Sequence, residues 1–189
     1  MNPPPDVLRK KFGRHDCTVR PLQAGDEPRL QEFFHSHTPD TIYERYGCLV
    51  STMTPERASA LVNVDQARDC ALGIFAPAPP GETLVAVGRY CLDRSGDAAE
   101  LAFVVREDRR GLGMGTALLR RLIQTARDRG LARLWAQTNN HNADMLGIFR
   151  RAGFTLVPEP DNGIICATLV LAPAPAAAGK KPRAAVRRA

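Results

Sequence analysis

The chain has 189 residues, 44% hydrophobic and 24% charged, a composition that suits one globular domain with a substantial core and gives no reason to expect a second. No apolar run reaches the roughly 18 residues of a membrane span, and the start Met1-Asn2-Pro3-Pro4-Pro5 lacks the apolar core of a signal peptide, so no membrane partner is expected and the cytoplasm is the expected location. Of the net charge of +6, residues 1–14 carry +3 and residues 173–189 carry +5, which leaves a slightly acidic body at −2 and argues against a nucleic-acid-binding core.

In chain order, residues 1–14 are proline-rich and basic and read as a flexible tail. A strand is predicted at 17–21 and a helix at about 25–36. A second helix opens at Thr54-Pro55-Glu56, where Thr54 caps and Pro55 takes the first helical position, and runs to about Asn63. Tyr43 to Tyr46 then fall in the connection between these helices. Strands at about 69–76 and 83–92 flank Pro77-Ala78-Pro79-Pro80-Gly81, a loop whose prolines argue against strand pairing. A strand at 97–106, a helix at 113–129 stopped by Gly130, a strand at 132–138, a helix from Asn142 to Arg151 with Gly153 beyond it, and strands at 154–157 and 164–171 complete the body. Residues 173–189 read as a disordered basic tail, so the expected domain spans 15–172. The order implies an α/β fold, a mixed twisted sheet of six to seven strands with about four helices.

Five cysteines are scattered without Cys-x-x-Cys spacing and read as free, mostly buried thiols. His35-x-His37 has no third ligand nearby and reads as a surface pair at a helix end, so no metal is expected.

The most informative stretch is 99–119. Leu101 to Val105 is an unbroken apolar and β-branched run, and Leu112, Thr116, Leu118, Leu119, Leu122, Ile123 and Ala126 approximate helical periodicity. Between them lies Arg110-x-x-Gly113-x-Gly115. Glycines let backbone approach a ligand closely, free N–H groups open the helix, and Arg106, Arg109 and Arg110 add positive charge, so a phosphorylated ligand fits. There is no Gly-Lys-Ser/Thr, which removes the nucleoside-triphosphate loop, and Gly111, Gly113 and Gly115 match the dinucleotide pattern only in part. Coenzyme A is the remaining phosphate chemistry.

Strand, Arg110-x-x-Gly113-x-Gly115, helix, then Asn142 and Phe149-Arg150-Arg151-Ala152-Gly153-Phe154, resembles the signature of the GNAT N-acetyltransferase superfamily over roughly residues 17–171. Within it, Ala99 to Val105, Asn142-x-x-Met145-Leu146 and Gly88-Arg89-Tyr90 are most similar to the catalytic domain of bacterial protein lysine acetyltransferases. The resemblance implies acetyl-CoA as cosubstrate, with the backbone of Phe103, Val104 and Val105 along the pantetheine arm, the turn Arg110, Gly111, Leu112, Gly113, Met114, Gly115 and Thr116 on the diphosphate, and Asn142 against the arm. It implies Glu100 as the general base that deprotonates the acceptor amine, since a lysine amine has a reference pKa of about 10.4.

Phe149 departs from the pattern, because many members carry there a tyrosine that protonates the leaving thiolate. Tyr43, Tyr46 and Tyr90 are the expected walls of an acceptor channel. Met145 reads as a core residue. Three functions fit these residues: transfer of an acetyl group to a protein lysine by direct attack in a ternary complex, transfer to a small amine such as a polyamine or amino acid, and non-catalytic acyl-CoA binding. Oligomeric state is not written in the sequence.

Overall fold

A computed structural model of the chain describes residues 7–46, 51–160 and 162–171, with the side chains of Arg45 and Tyr46 outside that description. Eight strands form one sheet in the order β1-β2-β3-β4-β5-β6-β8-β7. They are β1 (Leu8–Phe12), β2 (His15–Pro21), β3 (Cys70–Ala78), β4 (Gly81–Leu92), β5 (Ala98–Val105), β6 (Arg133–Asn139), β7 (Thr155–Pro158) and β8 (Ile164–Val170). The helices are α1 (Glu27–His35), α2 (Pro39–Tyr46), α3 (Pro55–Val62), α4 (Met114–Asp128) and α5 (Ala143–Arg151). The mixed α/β architecture is the expected one, with strands and helices slightly more numerous.

Three stretches differ from the expectation. Residues 8–12, expected in a flexible tail, form an edge strand paired to β2, with Phe12 buried and Lys10 Nζ 5.3 Å from its ring. Its exposed lysines are ordinary for an edge, where charge discourages further pairing. The proline-rich connection stays in strand register through Pro77↔Glu82 and Ala78↔Gly81, because at the end of a hairpin a missing N–H removes only a terminal rung. Residues 39–46, expected as connection, are helical. Thr38 Oγ1 accepts from the Thr41 N–H at 3.3 Å, Pro39 takes the first helical position and Asp40 sits in the first turn. The tails beyond Val7 and Leu171 lie outside the described residues.

The two faces of the sheet bury different helices. On one, Tyr90, Leu101, Phe103 and Leu134 pack with Leu118, Leu119 and Leu122 of α4 and with Phe149 of α5. On the other, Ala71, Phe75, Leu84 and Val87 pack with Leu30, Phe33 and Phe34 of α1 and with Ala58 and Val62 of α3. Asp26 is buried beside this second core and receives a bidentate pair from Arg20 at 2.7 and 2.9 Å, while the Arg20 guanidinium lies 3.6 Å from the Phe75 ring centre. Paired charge and aromatic contact together make that burial tolerable.

The sheet opens between two of its inner strands. β5 and β6 run parallel and pair only at Ala98↔Arg133, Ala99↔Leu134 and Glu100↔Trp135. Beyond Glu100 no further pair joins them among the described residues, although β5 continues on β4 to Ala86↔Val105 and β6 continues on β8 to Asn139↔Ile164. The sheet opens as a wedge between two strands that are each held from the other side.

Candidate active site

A cavity of about 540 Å³ occupies that wedge. β5 lines it from Glu100 to Val105, β6 from Ala136 to Asn139, the turn after β5 from Arg109 onward, and α2 and α5 close its sides through Tyr43, Glu44, Asn142 and Met145. Because β6 has left the ladder, the backbone groups of β5 that would have faced it are free to pair with a ligand.

The turn is built as an anion cradle. Gly113 begins α4 with φ +82, a left-handed conformation that disfavours side chains, and a Cβ built there meets nothing within 4 Å, so it would project into open space. A Cβ at Gly115 would instead press on Phe103 at 3.2 Å and Ile148 at 3.3 Å, so that glycine serves close packing of α4 against β5 and α5. The first turn of α4 carries no acidic residue, and its free N–H groups present the positive end of the helix dipole. Arg109 and Arg110 line the cavity beside it. Arg106 does not, since its guanidinium is taken by Asp108 at 2.6 and 2.8 Å. The Leu112 side chain packs against the core, so only its backbone is left to the turn.

Glu100 stands at the apex of the wedge, exposed and lining the cavity. Its position follows from strand alternation: Leu101 faces the α4 core, so its neighbour faces away. Tyr43 is 51% exposed at the cavity edge, and Glu44 beside it accepts from Asn142 Nδ2 at 3.4 Å, which links α2 to the start of α5. Asn142 also caps α5, accepting from the Met145 N–H at 3.1 Å. Met145, read as core, lines the cavity as a partly buried residue.

One expectation fails here and a second holds only in part. Tyr90 is no channel wall, for it is fully buried against α4 with its hydroxyl accepting from Arg129 at 2.8 Å. Register explains this: Glu100 stands opposite Cys91, whereas Tyr90 stands opposite Leu101 and shares its face. Of the His35-x-His37 pair, His35 is exposed at the end of α1 as expected, but the His37 side chain is 4% exposed and its Nδ1 lies 3.0 Å from Glu107 Oε2. The Tyr46 side chain lies outside the described residues. Phe149 is buried with its ring edge-on to Phe103 at 5.9 Å and tilted against Phe154 at 4.9 Å, a packing role that offers no proton.

Sequence reasoning did not single out Thr38, Thr41 and Glu107, which join α2 to the cradle. Glu107 Oε1 accepts from the Thr38 N–H at 2.9 Å, and Thr41 Oγ1 accepts from Arg110 Nη2 at 2.7 Å. Burial opposes ionisation of Glu107, but hydrogen bonds from Thr38, Thr41 and His37 outweigh it and bring the carboxyl down to about 2. His37 is lowered by burial, against the opposing pull of Glu107. Only the cap signal Thr38-Pro39-Asp40 was available in the sequence.

A splayed parallel strand pair with a glycine turn and a helix start at its mouth turns free backbone groups and an anion cradle toward one cavity. Residues 30–154 match the model of the acetyltransferase (GNAT) family. An acetyltransferase of Pseudomonas aeruginosa is 25% identical over 150 residues, 79% of this chain and 80% of its own length. The L-methionine sulfoximine/L-methionine sulfone acetyltransferase of Pseudomonas paraeruginosa is 42% identical over 57 residues, 30% of this chain and 33% of that protein. The crystal structure of the GNAT domain of S. lividans PAT superposes with a TM-score of 0.77 at 24% identity, covering 87% of this chain and 97% of that one. The chain belongs to the GNAT acetyltransferase family; it is an N-acetyltransferase that uses acetyl-CoA and acts on an amine acceptor.

Proposed function

We propose that the wedge brings acetyl-CoA and a lysine ε-amine of a protein together, and that Glu100 removes the proton that keeps this amine from attacking. The observation that carries the reading is the placement of Glu100: it is the last paired residue of β5 on the β6 side, it is exposed, and it lines the cavity. When bound, acetyl-CoA supplies the activated acyl group. The residues of the chain do the rest. The N–H groups at Gly113 to Thr116, with Arg109 and Arg110, hold the diphosphate. The free edge of Phe103, Val104 and Val105 pairs with the pantetheine arm, and one of its amides donates to the carbonyl oxygen on which charge develops. Asn142, at the head of α5, contacts the arm.

Phe149 has no hydroxyl, so no side chain at that position assists the departing thiolate. With a reference thiol pKa near 8.5 the sulfur leaves unaided. Tyr43 offers an aromatic surface to the methylenes of a lysine stem, and Glu44 offers charge to its surroundings. Attack is direct, with both substrates bound.

A small amine is the second reading, favoured by the 57-residue stretch shared with the L-methionine sulfoximine/L-methionine sulfone acetyltransferase. Incubation with labelled acetyl-CoA, once with a cell lysate and once with polyamines and amino acids, separates the two. Label on lysines of precipitated protein is expected. Label confined to the small amines would replace the first reading by the second.

A further inference from the structure

Beside the cavity, polar groups that the proposed reaction leaves unused are joined to Arg110 of the cradle. Thr41 of α2 is 4% exposed, and its Oγ1 receives Arg110 Nη2 at 2.7 Å and Thr38 Oγ1 at 3.2 Å. Thr38 Oγ1 lies equally close to Glu107 Oε1, at 3.2 Å, and so stands between that carboxylate and Thr41. Glu107 is in turn fixed by the Thr38 N–H at 2.9 Å and by His37 Nδ1 at 3.0 Å. The chain of contacts thus runs from a carboxylate anchored on two helix ends, through the hydroxyls of Thr38 and Thr41, to an arginine of the glycine turn.

We infer that Thr41 is a positioning residue for the coenzyme, orienting the Arg110 guanidinium at the cradle. An arginine side chain is rich in rotamers, and ordering one during binding weakens affinity. A buried acceptor that already fixes one of its nitrogens moves that cost from binding to folding. Arg110 has five N–H donors in a rigid fork, so engaging Nη2 leaves donors for a diphosphate and sets the plane in which they lie. Because Thr41 stands on α2 with Tyr43 and Glu44, the same bond fixes the acceptor wall relative to the cradle. The inference rests on the diphosphate lying at this turn.

The test is a double-mutant cycle on coenzyme A affinity, measured by calorimetry on the full chain. Thr41→Val keeps the shape and removes the hydroxyl; Thr41→Ala serves the same cycle if valine is not accommodated. Thr41→Val is expected to raise Kd about 2- to 12-fold, the worth of one ordinary hydrogen bond, and to raise KM for acetyl-CoA with kcat little changed. Thr41→Ser is expected to restore the parent affinity. In an Arg110→Gln background the Thr41 substitution is expected to cost nothing further. An unchanged Kd for Thr41→Val, or an equal loss with and without Arg110, overturns the positioning role. An unchanged Kd for Arg110→Gln overturns instead the placement of the diphosphate, and the role of Thr41 with it.

Discussion

Glu100 and Trp135 form the last rung of the parallel ladder between β5 and β6. A carboxylate at the point where two strands part faces a ligand-sized space while its own backbone stays fixed on both sides, through Cys91 of β4 and Trp135 of β6. This is how a side chain on a rigid sheet can be both solvent-accessible and well placed.

Glu100→Gln keeps the shape and cannot accept a proton from the amine. Turnover is expected to fall about 10²- to 10⁴-fold, the usual range for a lost general base, with coenzyme A affinity nearly intact. Retention of most activity at neutral pH with an unshifted pH profile would reduce Glu100 to an ordinary strand residue.

Gly113→Glu places a carboxylate in the cradle and a side chain at φ +82. The left-handed conformation alone costs about 1–2 kcal/mol, and the added charge opposes a diphosphate. Coenzyme A binding is expected to disappear in calorimetry while circular dichroism retains the parent spectrum. Binding at parent strength in the folded variant would move the diphosphate elsewhere.

Much of this was legible because local signals coincided. The run Leu101 to Val105, the turn glycines and the periodic residues after Leu112 specify strand, turn and helix within thirty residues, and Thr54 and Asn142 both cap helices as their positions suggest. What stayed hidden depends on partners far away in sequence. Tyr90 looked available for a channel until register put it opposite Leu101. Thr41 and Glu107 carry no mutual signal across the chain, and the edge strand β1 was masked by its basic, tail-like composition. Leu112 sits inside the motif, yet its side chain follows the core rather than the turn.

Tyr90→Phe tests whether this side chain belongs to the core. The variant removes the hydroxyl that accepts from Arg129, in a position with no exposure. A loss of about 0.5–1.5 kcal/mol in stability is expected, or more if Arg129 is left without a substitute. KM for the acceptor is expected to stay unchanged, and a rise in it without loss of stability would return Tyr90 to the acceptor side.

The Glu107 knot predicts how stability depends on pH. The folded carboxyl is brought down to about 2 from an ordinary value of 4.5. A depressed carboxyl contributes stability that is fully present above the unfolded value and is lost as pH falls from about 4.5 through about 2. His37 adds a separate acid sensitivity: burial lowers its pKa, so its neutral form is favoured in the fold and stability falls as pH drops below the ordinary histidine value near 6.5. The two contributions separate in a His37→Gln background, where the amide can still donate to Glu107. There, Glu107→Gln is expected to lower stability by a constant amount at pH 5–7, and this gap is expected to shrink as pH falls from 4.5 toward 2.5, followed by urea unfolding. A gap that stays constant down to pH 2.5 would show that the Glu107 carboxylate is not held ionised by Thr38 and Thr41, and would remove the anchor from which Arg110 is positioned.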